Sequence, residues 1–302
     1  MKRLFLLSLL FLGILGHGKA CDACGCSMSP GYAGLLPQLG GHYIGFWWQH
    51  QQYRTFPDLS FEPGASPQTE YFNSLEVRGR WQAGRKWQLT AILPYAYHLR
   101  QEDGTPKTVS GLGDLTLMAH YALWSSPDST YSLFRHRLSL GAGAKAPTGR
   151  FETPGPNEVA NPNFQVGTGS WDALANLSYT LRYERWGLNV DATARFNGES
   201  SSTYRFGNRF SGLASVFTLR QHGRLQLMPN AGLMYEAAEL DTERGYFRTQ
   251  TGGRAWLANA GLEAFLGNLN LGIAWSLPLR QDWNNGLVDA RQRAAVHFNV
   301  FF

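Results

Sequence analysis

Over most of its length the chain alternates apolar and polar residues with a period of two. This is the spacing of a β-strand, whose successive side chains point to opposite sides. Leu75, Val77, Gly79 and Trp81 alternate with Glu76, Arg78, Arg80 and Gln82, so one side is apolar and the other charged. Trp87, Leu89, Ala91, Leu93, Tyr95, Tyr97 and Leu99 then alternate with Gln88, Thr90 and His98. Carried along the chain, the pattern predicts twelve strands. The first, over residues 42–53, puts Ile44, Phe46 and Trp48 outward; the fourth puts Leu115 and Leu117 outward with Asp114 and His120 inward. The fifth sets Leu138 and Leu140 against Arg137, Ser139, Gly141, Gly143 and Lys145, and its small inward residues are expected to leave lumen space. In the eighth, Leu213, Ser215, Phe217 and Leu219 are read as the outward set.

The last strand sets Val296, Phe298, Val300 and Phe302 against His297, Asn299 and Phe301. A bare apolar face on a final strand invites aggregation unless that strand pairs with the first and closes a barrel. The competing reading is an edge strand of a periplasmic β-sandwich. The connections favour the barrel, because they alternate long and short. Residues 55–70, 100–110, 147–168, 198–207, 239–251 and 281–290 are polar and rich in Gly, Pro or Asn, whereas residues 83–85, 184–187, 221–223 and 267–268 are tight turns. Outer-membrane barrels sort their loops in this way, and an even strand number returns both ends to the periplasm. Trp81, Trp87, Tyr183 and Trp186 lie near strand ends, where aromatic belts form. The expected fold is all-β, a transmembrane antiparallel β-barrel of about 12 strands over residues 42–302. On that fold an outward Arg at Phe298 or Val300 should be costly, and Asn299→Arg much milder.

Composition sharpens this picture. Aromatic residues make up 14% of the 302-residue chain and charged residues only 16%, with 34 Gly, a mixture suited to strands that carry one lipid face. Lys2 and Arg3, an apolar run over residues 4–15, and Gly18-Lys19-Ala20 read as a secretory signal peptide over residues 1–20, too short to span a membrane as a helix. No later apolar run reaches the ~20 residues of a transmembrane helix, and the mean hydropathy is -0.28. Three of the 27 basic residues belong to that leader, leaving 24 against 22 acidic ones, so the pI near 9.1 does not point to nucleic acid.

Residues 21–41 are read as a periplasmic N-terminal segment containing the only cysteines, Cys21, Cys24 and Cys26. Three thiolates in a Cys-x-x-Cys-x-Cys spacing suit a soft ion such as copper(I) or zinc, with Met28 as a further thioether ligand. A disulfide with one thiol left over, or a lipid on Cys21, fits the same residues in an oxidising compartment. The parity of the strands turns Arg78, Arg80, Arg137, Lys145, Arg182, Arg195, Asp114 and His120 inward. Such residues either track a solute or pair with one another and fill a small barrel. Barrel enzymes carry a Ser and a His on the lipid-facing surface; His98, His120 and His297 point inward, and His136 has no outward Ser partner on a neighbouring strand, so catalysis is not expected.

Four stretches carry a family resemblance: Ser110-Gly-Leu-Gly-Asp-Leu115, Ala144-Lys-Ala-Pro-Thr-Gly149, Val166-Gly-Thr-Gly-Ser-Trp-Asp172 and Ala194-Arg-Phe-Asn-Gly198. In this order they resemble the outer-membrane family named for the meta-pathway of phenol degradation, transporters akin to the fatty-acid channels. The resemblance implies a transporter-like barrel and leaves the solute open; the Cys-rich segment lies outside it. The expected partners are outer-membrane lipid, the barrel-assembly machinery through the C-terminal strand, and a small-molecule solute. The expected molecule is a monomer passing small solutes through a bore narrowed by the longest outer loop or the N-terminal segment.

Overall fold

The structure is a computed structural model that describes residues 41–57, 66–102, 105–126, 133–151 and 163–302. The leader and the cysteine segment lie outside the described residues. Twelve long strands follow one another: β1 (Tyr43–Thr55), β2 (Gln68–Ala83), β3 (Trp87–Glu102), β4 (Leu115–Ser125), β5 (Phe134–Ala146), β6 (Asp172–Tyr183), β7 (Trp186–Asn197), β8 (Arg209–Thr218), β9 (Leu225–Ala238), β10 (Gly253–Leu266), β11 (Leu269–Trp283) and β12 (Val288–Phe301). Each pairs antiparallel with its sequence neighbours, and β1 pairs with β12 from Tyr43↔Phe301 to Thr55↔Val288, so the sheet closes. Closure satisfies every ladder internally, which a strand assembly in hydrocarbon requires.

The outward row is the apolar one. Ile44, Phe46, Leu75, Trp81, Leu89, Leu177, Leu271, Ile273 and Phe298 are exposed, while Glu76, Arg78, Lys145, Asn270, His297 and Asn299 between them are buried. This inversion of the soluble pattern is stable only against lipid, and it marks the barrel as membrane-spanning. The tight turns sit at one end, with Gly84 (φ 67°) and Gly267 (φ 61°) supplying left-handed backbone that an L-residue adopts only under strain.

Several expectations need correction. On β8 the faces are reversed: Leu213, Ser215 and Phe217 are buried in the lumen, and Phe210 and Val216 face outward. Both rows of β8 are apolar, so alternation alone carried no direction. Gly187 on β7 leaves room for the Phe217 ring, which a Cβ there would overlap. The small inward residues of β5 leave lumen space only at Ser139, which borders a cavity, because the His120 ring fills the position over Gly141 and Met118 that over Gly143. The loop expected over residues 100–110 is largely a hairpin, with Thr105–Leu112 paired back onto β3. Parts of two other loops form a small sheet of Tyr204–Arg205, Asp241–Glu243 and Tyr246–Arg248. The last of the connections expected to be long shrinks to residues 284–287, since β11 and β12 extend further than their apolar rows.

Candidate functional site in the barrel lumen

The lumen is apolar at both ends and polar between. Near the long loops Tyr53, Phe72, Phe164, Leu213, Leu257 and Trp283 form one buried cluster; near the short turns Tyr43, Trp47, Phe217, Met228 and Phe265 form another. Between them, along the wall made by β2 to β7, lie two cavities that share Ile92. The upper, of about 100 Å³, is lined by the charged and polar Glu76, Arg78, His98, Asp114, Lys145 and Arg195 together with the apolar Pro94, Ala96 and Val166. The lower, of about 40 Å³, is lined by Tyr43, Arg80, His120, Ser139, Asn176 and Ser178 among others.

The four sequence motifs meet at the upper cavity. Lys145 Nζ lies 2.8 Å from Asp114 Oδ2 and 2.8 Å from Asp172 Oδ2, and it also contacts the Thr168 hydroxyl. Asp114 accepts hydrogen bonds from the backbone N–H of Gly149 (2.9 Å) and of Thr168 (2.9 Å). Asp172 accepts from the Ser170 hydroxyl (2.8 Å) and the Gly198 N–H (3.2 Å). Two carboxylates around one ammonium, each further bonded by N–H and O–H donors, meet the condition under which buried charge is tolerated. Three glycines make the approach possible: a Cβ on Gly149 would lie 2.8 Å from the Gly167 Cα and 2.9 Å from the Gly113 Cα. Through this node the far end of the longest loop is drawn inward, burying Asn163, Phe164 and Gln165. Phe164 packs against Phe72 and lies under the Arg100 guanidinium, 4.6 Å from its ring centre.

A second network crosses the closing strands. The Trp47 indole stacks on His297 (3.8 Å, 14°), with the Arg78 guanidinium 4.1 Å from the indole ring centre. His297 Nε2 lies 2.8 Å from Glu263 Oε2, Asn270 donates to Glu263 (2.9 Å), Asn299 donates to Asn270 (2.7 Å) and Trp47 Nε1–H donates to Asn299 (3.0 Å). Asn299 is therefore a fully buried member of a network that an arginine there would break, so its burial gives the expected mildness no support.

The inward residues read from parity are thus dispersed among different tasks. Asp114 and Lys145 belong to the node, and Arg195 lines the upper cavity beside them. Arg78 is paired with Glu76 (2.6 Å), and Arg80 lies over Tyr43, 4.7 Å from its ring centre. His120 lines the lower cavity; Arg137 is partly buried below it, and Arg182 sits at the short-turn end outside both cavities. Sequence reasoning missed the lumenal aromatics Tyr43, Trp47, Tyr53 and Phe72, although the first three fall on the parity opposite to Ile44 and Phe46. It also missed Phe164 and Thr168, for which a loop offers no period to read.

Comparison with known proteins agrees with this architecture. The chain is similar to the crystal structure of an outer membrane channel from Pseudomonas putida F1, with a TM-score of 0.65 and 15% identity over 91% of this chain and 100% of that one. It is similar also to the β domain of the Bordetella autotransporter BrkA, with a TM-score of 0.50 and 15% identity over 87% of this chain and 100% of that one. At such identities the likeness is one of fold. No curated protein sequence matches the chain. The family described as "Putative MetA-pathway of phenol degradation" matches residues 67–285, a span that takes in β2 to β11 and all four motifs. With the outer-membrane barrel fold and the motif node both in place, this chain belongs to that family.

Proposed function

We propose that the protein is a passive conduit for small organic solutes across the outer membrane of a Gram-negative cell, acting as a monomer and not as an enzyme. The observation that carries this reading is the pair of cavities, lined by both polar and apolar side chains, stacked along β2 and β3 inside a closed barrel, where a purely structural interior would be packed. The apolar residues of the upper cavity suit the carbon body of an organic solute, and its charged residues suit a polar group. The outward histidine, His136, is engaged by the Tyr179 hydroxyl (2.8 Å) and stacks on Trp124, an arrangement suited to an interfacial belt rather than to catalysis. In this orientation the short turns and the N-terminus face the periplasm, and the C-terminal strand is what the assembly machinery engages. Planar-bilayer recordings and liposome swelling test the reading. Ion conductance and solute-dependent swelling are expected, and a sealed barrel with hydrolytic activity on lipid would refute it.

A second reading concerns metal handling by Cys21, Cys24 and Cys26, and rests on their spacing, with Gly25 letting the sulfurs converge. Protein with an intact N-terminal segment is expected to bind copper(I) or zinc stoichiometrically, and a triple Cys→Ser variant is not. Equal metal content in the two proteins, with a disulfide or a lipid found on the native cysteines, would remove this reading.

A further inference from the structure

We infer that a groove on the outer wall of the barrel, where β11, β12, β1 and β2 meet near the long connections, docks the phosphorylated headgroup of lipopolysaccharide, the glycolipid of the outer leaflet. The inference rests on the orientation given above, in which the long connections face outside the cell, and goes beyond it in assigning a lipid site to named residues. The outward row of β1 runs from the exposed Ile44, Phe46 and Trp48 to the polar His50, Gln52 and Arg54. Such a change marks the level at which hydrocarbon gives way to headgroups. At that level lies an open groove of about 640 Å³, lined by Gln52, Arg54, Thr69, Leu277, Arg291 and Gln292.

Two irregularities in the sheet build this groove. The ladder between β11 and β12 stops at Ser276↔Arg293 and resumes at Trp283↔Val288. In the gap the Gln281 side-chain amide takes the place of a backbone partner, accepting from the Ala290 N–H (2.7 Å) and donating to the Ala290 carbonyl (3.0 Å). On the other edge of β12, Gln52 stands opposite Gln292 and Tyr53 opposite Ala290, so Arg291 is the extra residue of a bulge. A bulge re-aims side chains, and this one lets the adjacent Arg291 and Gln292 line the same groove.

The groove is cationic. Arg54 reaches it from β1 with its guanidinium 5.2 Å from the Phe56 ring centre, and among the described residues it forms no ion pair. Asp289, opposite Arg54 in the ladder, lies 3.7 Å from Arg291, but both side chains are well exposed and such a pair contributes little. No carboxylate among the described residues lines the groove. Guanidinium forks match the oxygens of a phosphate, and the Gln52 and Gln292 amides and the Thr69 hydroxyl suit the hydroxyls of a sugar. Leu277, exposed above Ile273 and Trp275 on β11, continues the groove into the apolar band along which an acyl chain lies. The volume has room for a phosphorylated sugar rather than for a bare phosphate.

The test titrates the full-length protein, in detergent and freed of bound lipid, with phosphorylated lipid A, with dephosphorylated lipid A and with phosphatidylglycerol, and reads the bound species by native mass spectrometry. Phosphorylated lipid A is expected to bind best. Its affinity should fall about thirtyfold in the Arg54→Gln/Arg291→Gln double variant, the loss of two basic side chains at a membrane surface. It should be unchanged in Arg254→Gln, whose outward arginine on β10 lies beyond β11 from the groove. Equal binding of the two forms of lipid A, phosphatidylglycerol bound as tightly as lipid A, or equal losses in Arg254→Gln and the double variant would each overturn the site while leaving the conduit in place. An epitope tag inserted at Gly245, in the turn of the small sheet, tests the orientation separately. Antibody binding to intact cells is expected, and its absence would put the long connections in the periplasm and overturn the inference together with that orientation.

Discussion

Gly272 shows how a single residue position decides what the lumen can hold. A Cβ on Gly272 would overlap the His297 imidazole and crowd Glu263, so the empty space of one glycine is what lets the His297–Glu263 pair and its stack on Trp47 form. The same relation joins Gly45 to Asn299 and Gly141 to His120. Large inward side chains in this barrel lie over glycines of the neighbouring strand, and the backbone beneath is flush enough to receive them. Gly272→Ala is expected to destabilise the barrel by about 1 to 3 kcal/mol through overpacking. Guanidinium unfolding in detergent micelles measures it, and an unchanged midpoint would show that the network yields freely.

The described ends of the connection between β5 and β6 behave as one element although neither is a strand or a helix. Both are fastened to the wall by the Lys145 node, and Phe164 is carried into the apolar cluster by that attachment. Lys145→Met leaves Asp114 and Asp172 facing each other without their shared cation, a change that typically costs about 3 to 5 kcal/mol when a buried pair is broken. The expected result is release of the connection with the strands still paired. Limited proteolysis should then cut between residues 151 and 163, and conductance should rise relative to the wild type. Protease resistance and conductance both equal to wild type would mean that the hydrophobic contacts of Phe164 hold the connection without the node.

For the molecule as a whole the decisive surface is the outside. Phe298 on β12 is 41% exposed and Tyr246, in the small sheet formed by the long connections, is 79% exposed, yet only the first lies on the apolar band. Phe298→Arg is expected to cost about 2 to 4 kcal/mol in a refolding titration into lipid vesicles, and Tyr246→Arg close to nothing. Equal effects would mean that Phe298 does not meet lipid. The small cavities and the two apolar end clusters also make this a constricted barrel, so conductance well below that of an open porin is the accompanying expectation.

Strand number, the lipid-facing rows of β1 to β7, and closure of β12 on β1 were legible in the residues. A membrane-spanning strand must separate its apolar and polar sides at every second position, and that separation survives in the linear sequence. On β8, where Leu213 and Phe217 oppose Phe210 and Val216, no such separation exists, and only the packing of Phe217 over Gly187 sets the direction. The inward charges were legible as inward but not as partners. Lys145 meets Asp114 and Asp172 from two other parts of the chain because Gly113, Gly149 and Gly167 permit three backbone segments to touch. The order of the four motifs along the chain hinted at a shared purpose. Their convergence on one ammonium is a property of distances across the lumen, and those distances arise only when the sheet closes.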